Sequence, residues 1–433
     1  MFTSNWRGRA ALVGAVMLTA ATALTACGSG SGSSSASKDG ITGTIRVSAQ
    51  TDQPYLQDAA NQFEKLHPGT KVQLVESPSN TYQTTIRAQL DAKHAPDVMF
   101  VWGGAGNAMA TQQLAKAGML ADLSDRPWVK NMGDTANGLV SYDNKVYALN
   151  TYANPTGVFY NTDMLTKLGV TIPKTFTQLL SFCKDVSSKG IVPIAMGNQT
   201  GYLNTEVPLE LVNTLIYSQN KNFAADMASG KEKWTTSDLW KSSLTKAHEL
   251  YLQMNDAKCF QANSTGYSDQ QARQLVAQEK ALGVNIISAA AQGVQQANPK
   301  IKYDMFEIPA TDNPDDTVLT MNTGASYAVN KDSTNLKTAI AFIDFMGEDQ
   351  QLTAASNAAF GVPYKAGPNT TVMDGLKGIE PLYKADKTAL WATNFWPNAE
   401  VKQVMIAQDQ NLILGKTNVT DAVNAIQKAF AGS

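Results

Sequence analysis

Residues 44–75 have the sequence TIRVSAQTDQPYLQDAANQFEKLHPGTKVQLV, and this stretch decides the class of fold. Residues 44–50 are strand-like, and Pro54 then opens a helix whose apolar residues recur at helical spacing. The HPG turn at 67–69 ends this helix, and residues 71–75 form the next strand. Strands and helices that alternate in this way predict a parallel sheet with helices on both of its faces.

The same alternation continues along the chain as far as Asn107. A helix over about 82–90 precedes a strand at 98–102, and a glycine-rich turn leads from there to Asn107, a predicted helix N-cap. In sheets of this type ligands bind beyond the carboxyl ends of the strands. We therefore expect a ligand near residues 50–55 and 102–107.

The central part of the chain predicts a second unit of the same kind. Residues 145–149 and 157–161 are predicted strands on either side of an irregular NTYANPT segment at 150–156. A helix beginning at Phe176 then precedes a strand at 191–196. Further strands are expected at 303–309 and 326–330, and further helices at 336–346 and 419–430.

The N-terminus has the features of an export signal. Arg7 and Arg9 precede an apolar run at 10–23, which is shorter than the roughly 20 residues that a spanning helix needs. The following LTAC resembles the lipobox of bacterial lipoproteins, which implies that Cys27 becomes the first mature residue and carries a lipid. The alternative is an ordinary secretory signal in which Cys27 has no such role. Residues 28–38 are Gly/Ser-rich and predict a flexible tether outside the cytoplasm.

Composition and cysteine content agree with an exported soluble protein. The chain is 43% hydrophobic and has a formal net charge of −2. This balance, without basic runs, argues against nucleic acid as a partner. Cys183 and Cys259 either form a disulfide bond, which would persist outside the cytoplasm, or remain two buried thiols.

A succession of segments carries a resemblance to a known family. In order, the chain contains FEKLHPGTKVQL, APDVMF, LAKAGMLADLSD, KVYALN, GVFYNTDML, PKTFTQLLSFCKDVSSKGIVPIAMG, YAVN, AIAFIDFM and LGKTNVTDAVNAIQKAF. Together they resemble the family 1 extracellular solute-binding proteins, maltose-binding-like lipoproteins of bacterial ABC importers, over about residues 44–431. The family often has a Gly-x-Trp where this chain has QEKALGVNIISAAAQ at 278–292, so a stacking residue expected there is missing.

The resemblance implies an α/β fold of two doubly wound lobes joined by a hinge of about three crossing segments, periplasmic-binding-protein-like and of type II. We expect the crossings near 150–153, 306–310 and 360–364. The expected organisation is a signal peptide at 1–26, a lipidated tether at 27–40, a first lobe at 41–150 plus 310–360, and a second lobe at 151–309 plus 361–433.

The resemblance implies a carbohydrate ligand, and the chemistry of a sugar indicates candidate residues in the first lobe and the hinge. A pyranose has apolar faces that pack on aromatic rings, and hydroxyls that need donors and acceptors. The family places a stacking aromatic near Trp102, for which a core position is the alternative. Gln50 and Asp52 match polar contacts of the family's first lobe, although Asp52 also suits a turn. Tyr152 and Asn154 lie in the crossing segment and either contact the ligand or hold the hinge.

Further candidates lie in the later part of the chain. Tyr202 follows the strand at 191–196, where the family presents an aromatic platform; ordinary loop packing is the alternative. Asn322 precedes a returning strand and either contacts the ligand or forms a turn. Of Trp391 and Trp396 we expect one to stack on the ligand, while other aromatics of this run cover the lobe core.

Enzymatic functions find little support in the sequence. His67, His94 and His248 are far apart, have no metal-ligand spacing, and are each expected at the surface or in a cap. The turn at 104–106 lacks the third glycine of a dinucleotide fingerprint, and no cofactor is expected. An exported hydrolase with two separated carboxylates and a peptide or anion receptor are the alternatives. An anion receptor should bring Arg or Lys to the cleft edge, and the candidate positions carry none.

These observations together predict a receptor rather than an enzyme. We expect a monomer that is anchored to the outer face of the cell membrane through Cys27. It would bind a mono- or oligosaccharide between its lobes and deliver it to the permease of an ABC importer.

Overall fold

The computed structural model describes residues 40–431, apart from 52, 54, 106–108, 133, 365–369, 398 and 399. The predicted signal, the tether with Cys27, Asp52 and the predicted N-cap Asn107 lie outside this described part. Among the described helices, none has the length and apolar character required to cross a membrane.

Strands and helices alternate through most of the chain. The strands are β1 Gly43–Gln50, β2 Thr70–Ser77, β3 Val98–Val101, β4 Ser141–Tyr142, β5 Lys145–Val146, β6 Ala148–Asn150, β7 Ala153–Asn161, β8 Val192–Ala195, β9 Ala281–Ile287, β10 Tyr303–Phe306, β11 Leu319–Thr323, β12 Ser326–Val329 and β13 Thr388–Leu390. The helices are α1 Tyr55–Leu66, α2 Ser79–Asp91, α3 Thr111–Lys116, α4 Asp134–Leu139, α5 Thr162–Leu168, α6 Phe176–Ser188, α7 Glu206–Tyr217, α8 Phe223–Ala228, α9 Asp238–Asp256, α10 Asp269–Ala277, α11 Gln292–Ala297, α12 Leu336–Met346, α13 Asp349–Ala358, α14 Glu380–Lys384, α15 Glu400–Ile413 and α16 Val419–Ala431.

The first sheet has the strand order β2-β1-β3-β12-β6 and defines the first lobe. Strand β1 pairs in parallel with β2 and β3, as the alternating pattern predicts. Strand β12 is antiparallel to β3 and β6, so the sheet is mixed rather than wholly parallel. Helix α1 covers this sheet with Leu56 and Phe63, both completely buried, because its apolar residues recur on one face.

The second sheet has the order β13-β11-β7-β9-β8, with β10 also on β7, and defines the second lobe. Its central strand β7 begins at Ala153, inside the NTYANPT segment that we expected to be irregular. All nine residues of β7 are buried. A strand covered on both faces loses the alternation of polar and apolar residues, and this explains why the sequence pattern missed its first half. The two helix-covered sheets confirm the predicted α/β fold class.

The segments that cross between the sheets lie side by side. The chain passes from β6 to β7 at 150–153 and returns from β11 to β12 at 323–326. The Thr151 backbone N–H donates to the Ala325 carbonyl over 2.9 Å, and Ala153 exchanges two backbone hydrogen bonds with Val362. The crossing expected at 306–310 is wrong, because β11 pairs antiparallel with β7 and so stays in the second sheet. The remaining lobe boundaries stay a prediction.

A disulfide bond fastens helix α6 to the second lobe. Thr175 caps this helix by accepting from the Gln178 backbone N–H, and its buried face includes Leu179 and Cys183. Cys183 is bonded to Cys259, with 4.7 Å between their Cα atoms. The Cys259 carbonyl accepts from the Ile194 backbone N–H over 2.9 Å, so the bond holds α6 close to edge strand β8.

We predict that replacing both cysteines, C183A/C259A, lowers the free energy of unfolding by about 4 kcal/mol. The bond closes a loop of 76 residues, and opening it returns chain entropy to the unfolded state. Urea unfolding of the variant and of the oxidised wild type measures the difference. Reduced wild type is the control and should resemble the variant. A difference below about 1 kcal/mol would contradict the prediction.

Candidate ligand-binding cleft

A cleft of about 920 Å³ lies between the two sheets. Its first-lobe wall includes Gln53, which follows β1, and Leu74 and Glu76 near the end of β2. Its second-lobe wall includes Arg273 and Gln292, and Tyr152 of the crossing segment lies between the two walls. The cleft therefore lies at the carboxyl ends of parallel strands, where ligands of open α/β sheets bind.

The first-lobe candidates lie at strand ends. Gln50 is the last residue of β1 and is half-buried. Trp102 follows β3 and is also half-buried, with its ring packed edge-on against Phe100 at 4.7 Å and Tyr82 at 6.0 Å between centroids. These contacts hold the indole in place and leave part of it uncovered. A role of Gln50, Asp52 and Trp102 in ligand binding stays a prediction.

The hinge candidates have different surroundings. Tyr152 lines the cleft, and its hydroxyl donates to Gln53 Oε1 over 3.3 Å, which links the hinge to the first lobe. Asn154 is buried and donates from Nδ2 to Ser288 Oγ at 3.2 Å and to the Ala359 carbonyl at 3.1 Å. Asn322 lies opposite Asn154 in the β11–β7 ladder. The hydrogen bonds of Asn154 favour a role in holding the hinge. Those of Tyr152 are compatible with holding the hinge and with contacting the ligand.

Both candidate tryptophans near the C-terminus pack in the second lobe. Trp391 is 4% exposed, and its indole N–H donates to Thr156 Oγ1 over 3.1 Å. Trp396 is 3% exposed and lies edge-on against Trp240 and Phe430. Both indoles are therefore core residues in this structure. Stacking of one of them on a ligand stays a prediction.

The sequence analysis missed the charged residues at the cleft. Arg273 lines it, donating from Nη2 to Asp269 Oδ2 over 2.6 Å and from Nη1 to the Ala290 carbonyl over 3.2 Å. None of the candidate positions taken from the sequence carries a basic side chain, and the structure adds Arg273 to the cleft lining. The pair follows the i, i+4 spacing of a helix, but only the fold brings α10 to the cleft. Asp269 compensates the charge of Arg273, and Glu76 adds a further acid.

Tyr202 lies beside this ion pair. It belongs to a short 3-10 helix at Gly201–Thr205 and is half-buried. Burial raises the pKa of its hydroxyl, and the nearby carboxylates of Glu206 and Asp269 raise it further. A phenol hydroxyl that stays protonated can donate a hydrogen bond to a ligand.

Two buried carboxyl groups lie side by side in the second lobe. Glu210 on α7 accepts from Asn285 Nδ2 over 2.7 Å, and Glu307 after β10 accepts from the Thr320 backbone N–H over 2.8 Å. Burial raises the pKa of Glu210 to about 8. Burial and the adjacent Glu210 carboxyl raise the pKa of Glu307 well above its usual range. The pair therefore retains at least one proton at neutral pH.

The structure brings no metal centre together: among the described residues, no three His, Cys, Asp or Glu side chains are placed to hold an ion. His248, expected at the surface, is completely buried. Its ring nitrogens lie 2.7 Å from the Leu244 carbonyl and 2.7 Å from Asp409 Oδ1. Burial opposes a charge on the ring, but the Asp409 carboxylate raises the pKa of His248. The pair joins α9 to α15, a structural role.

Comparisons with known proteins agree with this architecture. The family model for bacterial extracellular solute-binding proteins matches residues 48–352. The melibiose/raffinose/stachyose-binding protein MelE of Bacillus subtilis is 25% identical over 354 residues, 78% of each chain. The multiple sugar-binding protein of Streptococcus mutans is 21% identical over 423 residues, 97% of each chain. The apo structure of RafE from Streptococcus pneumoniae superposes with a TM-score of 0.74 at 21% identity, covering 90% of this chain and 98% of that one.

The buried carboxyl pair predicts that stability falls as the pH rises from about 5 to about 8. Over this range the carboxyl groups of Glu210 and Glu307 are largely ionised in the unfolded chain, while the folded protein retains their protons. For each proton that only the folded state retains, the free energy of unfolding falls by up to about 1.4 kcal/mol per pH unit. E210Q should reduce this slope in urea unfolding at several pH values. E249Q removes an exposed carboxyl and is the control; equal slopes in wild type and E210Q would contradict the prediction.

Proposed function

Because this chain belongs to the family of bacterial extracellular solute-binding proteins, which are receptors rather than enzymes, we propose that it is a lipid-anchored receptor for a neutral oligosaccharide. The ligand would bind between the two closing lobes. The receptor would then deliver it to the permease of an ABC importer.

The observation that carries this proposal is the cleft between the sheets. Its volume of about 920 Å³ is near the upper end of the range of small-molecule sites, which favours an oligosaccharide over a single sugar. Amide, hydroxyl and charged side chains line it together with the aromatic ring of Tyr152. Such a lining suits the hydroxyls and the apolar faces of a sugar.

The relatives suggest which sugars to test first. MelE is named for melibiose, raffinose and stachyose, and the Streptococcus mutans relative is named for multiple sugars. Raffinose, stachyose and melibiose are therefore the first probes for this chain.

The charges at the cleft support a neutral ligand. The guanidinium of Arg273 is already paired with Asp269 over 2.6 Å, and Glu76 adds a negative charge to the lining. An anionic ligand would have to compete with Asp269 for Arg273 and approach Glu76. A neutral hydroxyl can instead accept from the guanidinium and donate to either carboxylate.

Closure and anchoring complete the proposed function. The paired crossings at 150–153 and 323–326 form a narrow connection about which the lobes can close on a ligand. A lipid on Cys27 would hold the receptor beside its permease, while the Gly/Ser-rich tether leaves the lobes free to turn.

We predict that wild type binds at least one of the three sugars in calorimetry and that W102A binds it at least about 30-fold more weakly. A stacked and desolvated indole is worth about 2 to 4 kcal/mol on truncation, and about 1.4 kcal/mol corresponds to tenfold in affinity. D52A should weaken binding too, since a buried hydroxyl would lose its acceptor.

The control is W234A, which removes a tryptophan stacked on Phe430 at 5.4 Å between ring centroids, in the core of the second lobe. It should lose stability and keep its affinity. If W102A and D52A both bind within threefold of wild type with unchanged circular dichroism, the cleft is not lined as proposed.

A second prediction concerns the anchor. C27A should not incorporate a fatty-acid probe in metabolic labelling, because the thiol is the proposed attachment point. The variant should also leave the membrane fraction unless its leader stays uncleaved. C183A, which retains Cys27, is the matched control and should be labelled as wild type is. Labelling of C27A would overturn the lipoprotein assignment.

A further inference from the structure

Two buried side chains of the second lobe have polar atoms without partners in the described part of the chain. Asn204 and Glu206 are both 0% exposed. Among the described residues, neither Nδ2 nor Oδ1 of Asn204 has a hydrogen-bond partner, and neither does either carboxyl oxygen of Glu206. Buried polar groups in native proteins are nearly always paired. Four such atoms within three residues therefore call for a partner from outside the chain.

The segment that carries these atoms packs directly against the ion pair at the cleft. Thr200 Oγ1 accepts from the Asp269 backbone N–H over 3.0 Å, and Asp269 in turn holds Arg273, which lines the cleft. Tyr202 is close enough to Glu206, Asp269 and Arg273 for their charges to alter the pKa of its hydroxyl. The segment that carries Asn204 and Glu206 therefore packs next to the Asp269–Arg273 pair, of which Arg273 lines the cleft.

Three helices begin around Glu206. Helix α7 starts at Glu206 itself, α10 at Asp269 and α15 at Glu400. The charged groups that face the Glu206 carboxyl are Glu210 from α7, Asp269 from α10 and Lys402 from α15. Burial raises the pKa of Glu206 well above its usual range, and the two acids raise it further. A protonated carboxyl both donates and accepts, as the Asn204 amide does.

We propose that Asn204 and Glu206 are the buried hydroxyl-binding pair of this receptor, and that they take two neighbouring hydroxyls at one end of a neutral saccharide. This assignment rests on the proposed function. A hydroxyl also donates and accepts, so two adjacent ones complement the four atoms that the protein leaves unpaired. A carboxylate or phosphate group of a ligand would lack the donors to match them and would meet the surrounding acids.

The two lobes also touch each other away from the crossings. An added Cβ on Gly104 of the first lobe would lie 2.6 Å from the Asn394 carbonyl oxygen of the second. The Nδ2 of Asn394 and the indole N–H of Trp396 are also buried without partners in the described structure.

The experiment compares raffinose, stachyose and melibiose binding in E206L, N204L, E206Q and wild type. Leucine fills a similar volume without polar atoms. E206L and N204L should therefore bind at least 30-fold more weakly, while their melting temperatures without sugar stay equal or rise. E206Q retains a donor and an acceptor and should bind within threefold of wild type. E210Q is the matched control, one turn along α7 with its carboxyl bonded to Asn285, and should also bind within threefold.

Several outcomes would overturn the assignment. E206L and N204L binding within threefold of wild type would do so. An equal loss of affinity in E210Q would do so too, because the loss would then follow from disturbing α7. If a leucine variant does not fold, E206Q still tests the assignment. A loss of sugar affinity above tenfold in E206Q would contradict the binding of neutral hydroxyls by Glu206. Wild type that binds none of the three sugars, by contrast, would remove the proposed function and this assignment with it.

Discussion

The structure depends on the backbone ladder that joins the two lobes at their crossings. Strand β6 continues into β7, and β11 continues into β12, so two antiparallel strands run from one sheet into the other. Hydrogen bonds continue between them through Thr151, Ala325, Tyr152 and Gly324. At Gly324 an added Cβ would lie 2.2 Å from the Tyr152 ring, so a larger residue would push the two strands apart. The pairing sets the axis about which one lobe can turn against the other.

The same ladder positions the cleft. It places Tyr152 at the base, with the ends of β1 and β2 on one side and the start of α10 on the other. The lining brings together residues as far apart in the chain as Gln53 and Ala359. A small rotation at the crossings would change the distance between Glu76 and Arg273 without disturbing either core, because each sheet retains its own hydrophobic cluster.

Polar groups buried in the second lobe follow two different physical rules. His248 bonds to Asp409, and Glu210 accepts from Asn285, and these bonds contribute to a unique packing of the helices. Asn204 and Glu206 are equally buried but lack partners in the described structure. Deviations of this second kind lower stability and tend to occur at functional sites, since binding requires groups that the fold itself does not satisfy.

Local sequence determined the elements, and only the tertiary structure decided which of them meet. The spacing of apolar residues and the stop signals predicted β1, α1, α12 and α16 closely, because these patterns depend on neighbours within a few residues. The first half of β7 and the whole of β11 depend on partners far along the chain, and so the sequence analysis missed both. Contacts with distant parts of the chain also bury Trp391 and Trp396 and place Arg273 at the cleft. Hydrophobic periodicity records which face of an element is covered, but it does not record which element covers it, and that choice is made by packing over the whole fold.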